Sequence, residues 1–161
     1  MGARMRIRDA VIIAIGVVAT AAIAQPPAAA PRVHIVYMGG DDCPPCATWR
    51  KTELPKLEKS EFFRSVKFTY VSKLIRSQVP PSLFLPSDVR PYKDKLDLAS
   101  GGAVGSPQTA IIVNDEIYDY YFGSRSADSI LKMLESIATG SEYPFERCLR
   151  ITTKRTCEVK G

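Results

Sequence analysis

The chain has 161 residues, 45% of them apolar and 24% charged, with a formal net charge of +5 and a single histidine. That length suits one domain of ordinary size and the composition is globular. There is no basic helix and no Lys/Arg run with interleaved aromatics, so nucleic-acid binding has little support.

In chain order, the first segment stands apart from any fold. Arg4, Arg6 and Arg8 make a basic start, Ala10 to Ile23 is apolar apart from Thr20, and Ala22 and Ala24 are small residues at cleavage positions. This is the three-part pattern of a secretory signal peptide. The apolar run falls short of the roughly 20 residues a membrane span needs. Residues 1–24 are therefore expected to be a cleaved signal peptide, the alternative being an uncleaved anchor, and either way the domain is exported. Cleavage removes three arginines and Asp9, leaving a net charge of +3. Residues 25–32 (QPPAAAPR) read as an extended Pro/Ala linker.

Val33–Met38 is rich in β-branched and aromatic residues and predicts a strand. A turn follows, and then Asp41 to Trp49, DDCPPCATW. Cys46 to about Lys59 predicts a helix with Trp49, Leu54 and Leu57 in the core and a break near Glu53 caused by Pro55. Ser65–Val71 alternates apolar and polar residues and predicts a second strand. Ser72–Pro86, with Pro80, Pro81 and Pro86, predicts a loop. Ser87–Ala99 predicts a helix capped by Ser87 with Pro91 in its first turn. Residues 108–113 and 116–122 predict a hairpin around Asn114-Asp115. Ser126 is placed to cap a last helix that buries Ile130, Leu131, Leu134 and Ile137 and ends at Gly140. A tail, 141–161, carries a second cysteine pair.

Export bears on the four cysteines. In an oxidising compartment an even count favours disulfides, and sequence separation suggests Cys43–Cys46 and Cys148–Cys157. The CPPC spacing suits thiol–disulfide exchange, where one thiolate attacks and a second thiol resolves the mixed disulfide. Cys43 would then be the exposed nucleophile at a helix N-terminus, whose N–H groups and dipole favour a thiolate, and Cys46 the buried resolving thiol. Two rivals stay open for the motif. A structural staple would close a very small loop and stabilise little. A zinc or copper site lacks close ligand pairs, since Cys148 and Cys157 are nine apart and His34 precedes the motif. His34 reads as a strand residue without chemistry, Trp49 as packing beneath the motif, and Tyr118–Phe122 as packing in a hairpin. Asp41 and Asp42 read as solvated turn residues whose charge bears on Cys43. The tail pair reads as a structural disulfide that withstands mild reductant, the alternative being a redox relay to Cys43.

A CxxC after a strand, followed by a proline-led strand, a tight hairpin and a closing helix, resembles the thioredoxin-like fold over roughly Val33 to Thr139. The resemblance implies a three-layer α/β sandwich over 33–140: a central four-stranded mixed sheet flanked by helices, of glutaredoxin size. It implies a cis-proline at Pro107 facing the motif, with Ser106 and Pro107 contacting substrate. The chain also departs from the pattern. Asp42 stands where thioredoxins place Trp, Tyr37 stands where they carry a buried Asp, and Ser72–Pro86 is longer than the minimal fold needs.

The expected function is an exported, periplasmic, monomeric thiol–disulfide oxidoreductase without cofactor or metal, acting on protein disulfides or thiols. Pro44 and Pro45 offer no N–H to the Cys43 sulfur, and Asp41 and Asp42 add negative charge. Both features leave the thiolate weakly stabilised and favour a reductase or isomerase kept reduced by a membrane electron donor. The alternatives are a metal chaperone, a redox-inactive adaptor, or a disulfide-forming oxidase.

Overall fold

A computed structural model describes residues 29–161. The expected signal peptide, 1–24, and the first four linker residues lie outside the described residues. The frame is a four-stranded sheet in the spatial order Lys67–Ser72 (β2), Val33–Gly39 (β1), Gln108–Val113 (β3), Glu116–Phe122 (β4). Strand β1 (Val33–Gly39) is central, and six of its seven residues are buried. A strand covered on both faces reads as a continuous apolar run, which is why VHIVYM shows no alternation. β1 pairs in parallel with β2 (Lys67–Ser72) and antiparallel with β3 (Gln108–Val113), and β3 pairs antiparallel with β4 (Glu116–Phe122). Asn114 and Asp115 turn the β3–β4 hairpin at φ 50° and 69°. Two consecutive positive φ values suit the favoured two-residue hairpin turn, which selects Asn and Asp.

The predicted helix after the cysteine motif is divided: α1 spans Pro44–Thr52 and α2 spans Leu54–Glu58. The division falls at Glu53, because Pro55 has no N–H for an interior helix bond but fits the first turn of a new helix. A short α3 (Glu61–Arg64) follows, with the Ser60 hydroxyl accepting from the Phe63 N–H. The helix predicted from Ser87 starts later. A 3-10 turn occupies Arg90–Tyr92 and α4 covers Lys93–Ser100, with no side chain capping it. Pro91 cannot donate to an α-helical ladder, so the residues before it turn separately. Helix α5 (Ala127–Thr139) is capped by Ser126, and Gly140 closes it at φ 70°.

The sheet separates two apolar layers. Ile35, Tyr37 and Ile111 face α1, α2, α3 and α5. Val36, Met38 and Ile112 face α4 and the segment leading to it. Alternation along β1 and β3 thus divides the core, as period-2 geometry requires.

The tail forms a second, two-stranded sheet of β5 (Cys148–Ile151) and β6 (Cys157–Lys160). The Cys148–Cys157 disulfide closes it, with Cα atoms 5.7 Å apart. One buried carboxylate anchors this hairpin. Asp119 of β4 accepts from the Cys148 N–H at 2.9 Å, the Tyr143 hydroxyl at 3.1 Å and Arg125 Nη1 at 3.1 Å. At the hairpin tip Arg155 adopts φ 65° and lays its guanidinium over Phe122, 5.0 Å from the ring centre. The same guanidinium lies 2.6 Å from where a Cβ on Gly105 would stand, and it is the φ of 125° at Gly105 that strains any other residue there.

Candidate active site

β1 runs out at Gly39, and a tight turn places Cys43 as the N-cap of α1. Pro44 and Pro45 take the first helical positions, where a missing N–H has no cost. The Cys43 N–H donates to the Gly40 carbonyl at 3.3 Å, and the Cys46 N–H donates to Cys43 Sγ at 3.3 Å. With both prolines lacking an N–H, Cys46 supplies the one helix-end donor that reaches this sulfur. Cys43 and Cys46 are joined as a disulfide, with Cα atoms 5.2 Å apart.

The expected contrast between an exposed Cys43 and a buried Cys46 is not found in this disulfide form. Both residues are 0% exposed. Cys43 turns into the same apolar layer as Cys46, Tyr37 and Trp49. The exposed positions of the motif are Pro44 and Pro45.

Gly39 ties the parts together. A Cβ on it would stand 2.9 Å from Cys46 Sγ and 3.1 Å from Tyr37 Cε1. On one side its carbonyl accepts from the Lys73 N–H at 2.8 Å. On the other side the antiparallel register, with Met38 opposite Gln108, brings Pro107 alongside it. The Ser106–Pro107 peptide is cis. Cys43, Cys46, Ser106 and Pro107 therefore meet at the carboxyl end of β1. Ser106 Oγ is buried and has no hydrogen-bond partner among the described residues.

The aromatic residues pack as their positions suggest. Trp49 is buried and stacks on Tyr37 with ring centres 4.3 Å apart, and its Nε1–H donates to the Arg125 carbonyl at 2.7 Å. Burial pushes the Tyr37 hydroxyl above its usual range. Tyr120 is buried and donates to Gln108 Oε1. His34 lies near the opposite end of β1, with Nε2 2.9 Å from Thr69 Oγ1. Burial, and then the Lys67 cation, lower its pKa.

The two acids differ. Asp41 is exposed and pairs with Arg50 at 2.5 Å, so its charge is partly balanced. Asp42 does more than meet solvent: its carboxylate accepts from the Ile75 N–H at 3.0 and 3.2 Å, fastening the motif turn to the segment after β2.

Lys73 is the residue the sequence reading passes over. It is 6% exposed, and its Nζ donates to the Gly105 carbonyl at 3.0 Å. Burial, and secondarily the Arg155 charge, bring its pKa down from 10.5 to about 8. A signal for it exists: continued period-2 alternation puts Lys73 in phase with buried Val71.

Cys148 and Cys157 do not join the site. Cys43 and Cys46 belong to one apolar layer and Cys148 to the other, with the sheet between them. That separation suits a staple better than a relay.

Comparison with protein-family models, with curated proteins and with solved structures finds no match.

Proposed function

We propose that this chain is an exported thiol–disulfide oxidoreductase of the thioredoxin-like kind, working as a protein-disulfide reductase or isomerase through Cys43 and Cys46. The single observation that carries the reading is the Cys43–Cys46 pair at the start of α1, with the Cys46 N–H on Cys43 Sγ. In the dithiol state that N–H supports a thiolate on the N-cap sulfur. Cys43 attacks one sulfur of a substrate disulfide, forming a mixed disulfide and releasing the other sulfur as thiolate. Cys46 then attacks Cys43 Sγ, the mixed disulfide breaks, and the second substrate sulfur leaves as thiolate. Two electrons pass to the substrate, and a dithiol donor, held at the membrane, returns them to the pair.

Ser106 adds support as a substrate contact. A buried hydroxyl without a partner is costly, and a substrate backbone group would satisfy it once the opening that exposes the sulfurs also uncovers Ser106 Oγ. The burial of both sulfurs means that exchange needs an opening around Asp41–Pro45. The direction of electron flow rests on donor count. One N–H reaches Cys43 Sγ, where a strong oxidant needs a highly stabilised reduced form.

Cys46→Ser should accumulate mixed disulfides with substrate proteins and Cys43→Ser should abolish exchange. Equal trapping by both variants removes the role assignment. Redox titration against glutathione sets the direction: a potential near about −120 mV would make the protein an oxidase.

A further inference from the structure

The tail hairpin lies against the loop that delivers Ser106 and Pro107. That loop, 101–107, contains three glycines at positive φ: Gly101 at 55°, Gly102 at 70° and Gly105 at 125°. Glycine loses more freedom on ordering than any other residue, so such a loop has to be held from outside. A Cβ on Gly101 would stand 1.9 Å from the Ile151 carbonyl oxygen, so the β5 backbone presses on the start of the loop. At the other end, Lys73 Nζ and Gln108 Nε2 donate to the Gly105 carbonyl at 3.0 and 2.7 Å. The Arg155 guanidinium covers the side of Gly105 where a side chain would otherwise stand. Gly105 is accordingly buried, although Val104 beside it is 45% exposed.

Arg155 occupies its own position against local preference. At φ 65° it sits in the left-handed region, where glycine or asparagine is at ease and a long side chain is uncommon. The turn around it is fixed: the Thr152 N–H donates to the Thr156 carbonyl at 2.8 Å and the Arg155 N–H donates to the Thr152 carbonyl at 2.9 Å. Cys157 stands opposite Ile151 in the β5–β6 register, so the Cys148–Cys157 bridge closes the hairpin beside this turn. Strain kept at one residue points to a use for its side chain. The contacts of this one are Phe122, with the ring centre 5.0 Å from Cζ, and Gly105. Phe122 stands opposite Gln108 in the β3–β4 ladder, and the Gly123 N–H after it donates to the Pro107 carbonyl at 3.0 Å. Both contacts therefore lead to the backbone on either side of Ser106 and Pro107.

We propose that Arg155 is a positioning residue for substrate: from the tail hairpin it holds the Ser106–Pro107 loop in one conformation, so that a substrate polypeptide meets a surface already ordered. This role rests on the exchange activity proposed above and assigns part of its affinity for polypeptides to a residue outside the motif. A loop ordered in advance spares binding the cost of ordering it. Without the guanidinium that cost returns to the binding step, while attack by Cys43 on a bound disulfide proceeds as before.

The test uses the whole protein carrying Cys46→Ser as the parent, in which Cys43 is the sole free thiol and the tail bridge is intact. The probe is an extended peptide whose one cysteine carries nitrothiobenzoate as a mixed disulfide. The Cys43 thiolate attacks the peptide sulfur, a Cys43–peptide disulfide forms, and nitrothiobenzoate leaves as a coloured thiolate whose release gives the rate. Arg155→Gly puts glycine at a positive φ it adopts freely, so the hairpin turn is kept and the guanidinium alone is lost. It should raise the half-saturating peptide concentration about fivefold or more and change the limiting rate less than about twofold. Arg155→Lys keeps a long stem and a cation for Phe122, and should bring the half-saturating concentration back to within about twofold of the parent. A half-saturating concentration unchanged in Arg155→Gly overturns the proposal, as does a fall in the limiting rate alone. So does an Arg155→Lys protein as weak as Arg155→Gly, or a parent rate that never saturates, since no complex is then held by the loop. A parent whose Cys43 releases no nitrothiobenzoate defeats the exchange reading itself, and the positioning role falls with it.

Discussion

Replacing Lys73 with methionine is expected to make the protein more stable at neutral pH. Lys73 is buried, forms no ion pair among the described residues, and has Arg155 as its nearest charged influence. Bringing an ammonium from 10.5 to about 8 corresponds to about 3 kcal/mol against the charged form. The folded pKa lies below the unfolded one. Below pH 8 both states hold the proton and the whole cost of burying the charge is present. Between about pH 8 and 10.5 the unfolded chain keeps its proton and the folded chain has lost it, so stability rises with pH. Above 10.5 the cost is gone. Methionine is an unbranched, uncharged side chain one atom shorter than lysine, and the Gly105 carbonyl keeps a second donor, Gln108 Nε2 at 2.7 Å. Lys73→Met should therefore gain about 2–3 kcal/mol at pH 7. That gain should shrink towards zero by about pH 10.5, in a window set by the shifted pKa. Urea unfolding of both proteins at several pH values, with both disulfides intact, measures the difference, and groups titrating elsewhere cancel in it. A variant less stable than the wild type at pH 7, or a difference that does not vary between pH 7 and 10, would refute the reasoning.

Three further outcomes are expected. Asp119→Asn removes a buried charge that serves Arg125, Tyr143 and the Cys148 N–H at once; it should cost about 3 kcal/mol in thermal or urea unfolding, and a change under 0.5 kcal/mol would contradict the anchoring role given to it. Gly39→Ala drives a methyl group to 2.9 Å from Cys46 Sγ and should cost about 1–3 kcal/mol while slowing exchange; an equally stable and equally active variant would show that the close approach does not matter. Cys157 is exposed while both CPPC cysteines are buried, so a bulky phosphine in short pulses should open the tail bridge first, reversing the resistance expected of it from sequence alone; alkylation mapping that finds Cys43 and Cys46 labelled first would disprove this. The tail bridge closes a ten-residue segment and is worth about 2–3 kcal/mol, so its loss should lower stability yet leave the sheet folded.

Much of the frame is legible in the chain because it rests on local rules. Apolar runs of β-branched residues mark β1 and β3, Asn114-Asp115 marks a turn by its tolerance of positive φ, and Ser126 and Gly140 bracket α5. Pro55 places the break after α1 within a residue. Where the reading fails, a proline or a distant contact decides. Ser87 looks like a cap, but Pro91 hands Arg90–Tyr92 to a 3-10 turn and delays α4 to Lys93. Asp42 looks solvated until Ile75, far along the chain, comes to it. The burial of Cys43 is likewise tertiary, since nothing in DDCPPC says that the N-cap sulfur turns inward. Arg155 sits in a polar tail, and no local pattern ties it to Gly105.

The separation of the two disulfides along the chain also bears on how they form. Cys43 and Cys46 are made together, and roughly a hundred residues follow before Cys148 appears. At the usual pace of synthesis, about 5–20 residues per second, the first pair has several seconds in which the other two cysteines do not yet exist. A chain that enters an oxidising compartment as it is made can close the CPPC bridge with no competitor, and Cys148 then meets Cys157 as its one free partner. For a chain exported in that way, the order of emergence would remove two of the three possible pairings before any sorting is needed.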